Sequence, residues 1–118
     1  MEFRVADLVL AVPDGAELEV IAALGAAGSQ LDPYADRTLP AASLNEARAN
    51  VLATHGARLD AVRQSVAREL RRRDIPPWAE PLVVARAAED PMIDALARLA
   101  DLLARAAERG AEVLVLGR

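Results

Sequence analysis

The sequence predicts a small α/β domain with elements in the order β-α-α-β-α-β. The sheet is expected to have about three strands, with a C-terminal right-handed βαβ unit and one long central helix. Three observations predict this. Two short runs, "DLVLAV" (7–12) and "AEVLVLGR" (111–118), are apolar at successive positions, as in strands covered on both faces. A third, "PLVVAR" (81–86), resembles them. Between the runs lie stretches rich in Ala and Leu with helical spacing of apolar residues.

The first strand, 7–12, ends at Pro13. Asp14 is placed as the N-cap of a helix whose Leu18, Ile21, Ala22 and Gly25 share a face. "GAAGS" (25–29) ends that helix, and Gly suits a left-handed cap. Residues 30–42 carry two prolines and no sustained period, so they read as a connection. "SLNE" (43–46) has the spacing of a capping box, with Ser43 and Glu46 bonding reciprocally.

The helix it opens is long. Leu44, Val51, Leu52, His55, Leu59, Val62, Val66 and Leu70 fall within about 100° of one another at about 100° per residue. It can run to Asp74, where Ile75-Pro76-Pro77 stops it, and Gly56 is the one point where it could break. After the strand expected at 81–86, Asp90 caps a helix with Pro91 in its first position and Gly110 beyond its end. A β-strand, a helix and a further parallel strand join by a right-handed crossover. Three strands leave open sheet edges that a second subunit or a further strand could pair.

At 118 residues the chain is read as a single domain, 1–118. It has no cysteine, which excludes disulfides and thiolate metal sites, and no lysine among its 14 basic residues. Arginine in place of lysine throughout suggests GC-rich codons and a bacterial source. Acids at Glu2 and Asp7 do not fit a signal peptide, and no apolar run reaches the ~20 residues of a membrane helix. A cytoplasmic location is the expectation, with no membrane partner.

Charge is uneven. The net value is −4, but residues 1–36 carry −6 and residues 57–74 carry +3. The basic stretch, "ARELRRRDIPPWAEP" (67–81), raises the question of nucleic-acid binding. On helical angles, Arg58, Arg63, Arg68, Arg71, Arg72 and Arg73 wrap the helix and alternate with Asp60 and Glu69. Arg71 to Arg73 instead suit the C-terminal end of a helix, where cations face free carbonyls. Trp78, the sole tryptophan, is not a stacking platform. Nucleic-acid binding through Arg63–Arg73 therefore ranks third among the functional readings.

Catalytic groups are few. His55, the only histidine, lies on the apolar face of the long helix and is expected to pack in the core against Leu52, Leu59 and Val62. No catalytic residue, metal site or cofactor is assigned. If the sheet were parallel, its strand ends would gather Asp14, Arg86, Glu89 and Asp90 as a ligand-binding cluster. A small-ligand or catalytic domain using that cluster is the second reading.

The preferred reading is a non-enzymatic protein that acts through self-association or a protein partner. On the C-terminal helix, Asp94, Arg98, Asp101, Arg105, Glu108 and Arg109 occupy an arc of about 100°, and the remaining circumference is apolar. So wide an apolar arc suggests contact on two sides. Leu99, Leu102, Leu103 and Ala106 are the candidate interface, although the long helix of the same chain could cover them as well.

Overall fold

The computed structural model describes residues 1–72 and 75–117, and for 72, 83 and 86–88 the backbone alone. The chain forms a mixed α/β structure. Its elements are β1 (Glu2–Val5), β2 (Leu8–Ala11), α1 (Glu17–Ala23), β3 (Arg37–Leu39), α2 (Leu44–Arg72), α3 (Glu80–Ala88), α4 (Pro91–Arg109) and β4 (Val113–Leu116).

The sheet has four strands in the order β2-β1-β4-β3, and every pairing is antiparallel. This corrects the expected three-stranded sheet with a parallel βαβ unit. Two strands escaped the sequence reading, β1 and the three-residue β3. The run 81–86 is helical, within α3. A short apolar run cannot by itself be told from a buried helix segment, and here Glu80, Ala85, Ala87 and Ala88 favour helix while Pro81 fits a first turn. β4 closes the sheet at its centre, so the chain's two ends lie side by side as β1 and β4.

β1 and β2 form a hairpin across Ala6-Asp7, with Ala6 in the left-handed region at φ 52°. Strand alternation then decides what is buried. Phe3, Val5, Leu10, Leu39, Val113 and Val115 point to one face and join the core. Leu44, Ala47 and Val51 of α2 and Met92, Leu96, Leu99, Leu102, Leu103 and Ala106 of α4 complete it.

Helix boundaries follow local chemistry. Asp90 caps α4 by accepting from the Met92 backbone at 2.9 Å, Pro91 opens the helix, and Gly110 closes it at φ 61°. Gly25, at φ 67°, follows α1, as expected of a left-handed cap. Asp14 does not cap α1. It sits in a turn closed by Ala16 N–H on the Pro13 carbonyl, with Gly15 at φ 86° supplying the third position. Nor does "SLNE" form a capping box. Ser43 Oγ donates to the Pro40 carbonyl at 2.8 Å, and a short 3₁₀ turn, Ala41–Ser43, leads into α2.

α2 is continuous through Gly56. Its 29 residues span about 43 Å at 1.5 Å rise per residue. The fully buried positions are Leu44, Ala47 and Val51, all in its first turns. Beyond them Thr54, Ala57, Arg58 and Ala61 lie beside Met92 and Leu96 of α4, α3 packs back against α2, and the molecule measures 51 × 27 × 25 Å. The expected helix end at Asp74, with Arg73, lies outside the described residues.

Candidate interaction surface

The core absorbs one expected interface. Leu99, Leu103 and Ala106 are fully buried and Leu102 nearly so, packed between the sheet and α2. The wide apolar arc of α4 is thus satisfied on two sides within the chain.

The expected ligand cluster is not assembled by the strand ends, because the sheet is antiparallel and 81–86 is helix. Asp14 lines a depression with Met1, Gly15, Glu17, Leu18, Pro33 and Tyr34. Asp90 is at the start of α4, where its carboxylate is held by Arg58 Nε at 2.6 Å as well as by the Met92 N–H. Its pKa is lowered, first by the Arg58 hydrogen bond, against the opposing cost of burial. Glu89 is exposed in the link between α3 and α4. Arg86 belongs to α3, and its side chain lies outside the described residues.

His55 is half-buried, one turn past the buried part of α2, and its expected neighbour Leu52 is exposed. It therefore does not sit in the core. Among the described residues, no three acidic, histidine or cysteine side chains converge as a metal would need.

The arginines are arranged more closely than helical angles suggested. Arg63, Arg68 and Arg71 surround one shallow depression with Gln64 and Ala67. Arg71 Nε donates to the Ala67 carbonyl at 3.2 Å, and Arg63 lies 3.8 Å from Asp60. Trp78 is exposed and so are Leu82 and Val84 of α3.

The surface that the sequence left unread is the second face of the sheet, part apolar and part charged. The registers place Val9, Arg4, Leu114 and Thr38 in one row across it, and Ala11, Glu2 and Leu116 in the next. Val9 is 55% exposed and Leu114 is 42% exposed, so the runs that are apolar on both faces are covered on only one. Arg4 bonds Glu2 through Nη2 at 2.9 Å at the centre of this face.

The two sheet edges differ. β3 is three residues long, begins with Arg37 and is followed by Pro40, all features that discourage further pairing. β2 is Leu-Val-Leu-Ala, with no charge and no proline. The Val12 N–H bonds the Met1 carbonyl at 2.9 Å, so alternation turns the backbone of Leu10 and Leu8 toward β1 and that of Val9 and Ala11 outward. Alongside this edge, Leu8, Val9 and Leu10 form a groove with Ala97, Arg98, Asp101 and Leu102 of α4.

Comparison with known proteins finds no matching family model, no matching curated protein and no matching solved structure. On the open sheet face Val9 and Leu114 flank the Arg4–Glu2 pair, beside the uncharged β2 edge.

Proposed function

We propose that the protein is a non-enzymatic interaction module that works by self-association. The observation that supports this reading is the bare β2 edge, contrasted with the blunted β3 edge. An uncharged strand edge next to exposed Val9 leaves main-chain donors and acceptors ready to pair with another chain. Pairing would also enlarge the sheet face that carries Leu114 and Leu116.

Light scattering at micromolar concentration tests it. The expected mass is a multiple of the 12.5 kDa chain mass. A single species at 12.5 kDa removes the reading.

One observation favours a second reading, the arginine-lined depression on α2. It would suit a polyanion, including nucleic acid, but Arg71 already serves a helix carbonyl and the net charge of −4 opposes such a role. The ligand or catalytic reading keeps no comparable support, since two of its residues, Asp14 and Asp90, lie in a turn and in a helix cap.

A further inference from the structure

α4 carries a row of exposed charges. Asp94, Arg98, Asp101 and Arg105 are exposed, and the pairs Asp94–Arg98 at 3.0 Å and Asp101–Arg105 at 3.1 Å lie along the helix. Read in either direction, the row alternates acid and base. Reversal about its midpoint places every acid opposite a base: position 94 meets 105, and 98 meets 101. A helix with this row is complementary to an antiparallel copy of itself.

The row lies where such a copy would arrive. Arg98 and Asp101 line the groove against the β2 edge, and that edge presents the backbone of Val9 and Ala11. A two-fold axis through Leu10 would set Val9 of each copy opposite Ala11 of the other. These are hydrogen-bonded positions of an antiparallel ladder. The same axis would run the two α4 helices antiparallel beneath the joined sheet.

We infer that a second copy of this chain pairs with the β2 edge, making one continuous eight-stranded sheet, with Arg98 and Asp101 of each α4 facing Asp101 and Arg98 of the other. The inference rests on the self-association proposed above and specifies its surface. An isologous contact of this kind closes as a dimer and leaves the blunted β3 edges outermost.

Charge-sorted variants test it. Arg98→Asp with Arg105→Asp makes the row wholly acidic, and Asp94→Arg with Asp101→Arg makes it wholly basic. The four positions are exposed, so circular dichroism should match the parent. Each variant alone should dimerise about tenfold or more weakly, because like charges then face one another. Mixing the two should restore a dimer of mixed composition.

A second variant, Val9→Cys with Ala11→Cys, should form a covalent dimer on mild oxidation. Hydrogen-bonded antiparallel pairs have Cα atoms about 5.5 Å apart, within disulfide reach, and the parent chain has no cysteine. The pairing stands only if mixing restores the dimer and the cross-link forms. A dimer mass for the parent without either result overturns this surface and leaves self-association intact. A parent mass of 12.5 kDa overturns both.

Discussion

Arg58 and Asp90, 32 residues apart in sequence, are joined by a 2.6 Å bond from Nε to Oδ2. The other oxygen of the same carboxylate accepts the Met92 N–H at 2.9 Å. One side chain therefore caps α4 and anchors it to α2. Glu19 of α1 meets the same guanidinium at 3.2 Å, but this contact is exposed and contributes little.

Asp90→Ala is expected to destabilise the fold by about 1–2 kcal/mol, chiefly through the lost cap with a smaller share from the half-exposed ion pair. Asp90→Asn keeps an acceptor for the Met92 N–H and should cost less. Urea unfolding of the two variants checks the order. Equal losses would place the effect in the charge.

Acid should weaken the same junction. The folded pKa of Asp90 lies below the ordinary value of 3.8, so its contribution is fully present above that value and is lost as pH falls through the lowered one. The stability difference between the parent and Asp90→Asn should hold steady from pH 7 to about pH 5 and then shrink below about pH 4. Denaturant midpoints taken across that range measure it.

Two glycines should respond oppositely to alanine. At Gly56, inside α2, an added Cβ meets open space, so Gly56→Ala is expected to stabilise by about 0.5–1 kcal/mol. At Gly117 a Cβ would collide with the backbone of Tyr34 and Ala35, beside the bond from Gly117 N–H to Asp36 Oδ1 at 3.1 Å. Gly117→Ala should therefore destabilise and loosen the turn at 32–35. Thermal midpoints of the two variants should move in opposite directions.

The hairpin offers a gain. Ala6 holds φ 52°, a conformation costing an L-residue roughly 1–2 kcal/mol that glycine avoids. Ala6→Gly is expected to raise stability by up to about 1 kcal/mol, after the added freedom of the unfolded chain is offset. A lowered melting temperature would place the turn in another conformation.

For the arginines of α2, the expected result is an absence of salt-sensitive binding. Polyanion contact through Arg63, Arg68 and Arg71 would lose affinity steeply between 50 and 200 mM salt, about tenfold or more for three phosphates. Fluorescence anisotropy with a labelled RNA and a DNA duplex should record no binding at micromolar protein. Binding that Arg68→Ala and Arg71→Ala together reduce would move the weight to the second reading.

The sequence by itself determined the two long helices, α2 and α4. The boundaries of α4 were legible because Asp90, Pro91 and Gly110 act on their own neighbours, through a side-chain cap, a fixed φ and a left-handed turn. The long apolar stripe of α2 announced a helix for the same reason, since its spacing is a property of the chain alone. Tertiary structure decided the sheet and the surface. "LVLA" reads as an apolar strand whether one face is covered or two, and only the pairing of β1 between β2 and β4 leaves Val9 and Leu114 in solvent. "LVV" at 82–84 is equally apolar, yet it became helix beside α2. Leu99 and Leu103 looked available until α2 and the sheet enclosed them. Local bonds are written in neighbouring residues, whereas burial depends on which distant segments arrive at each face.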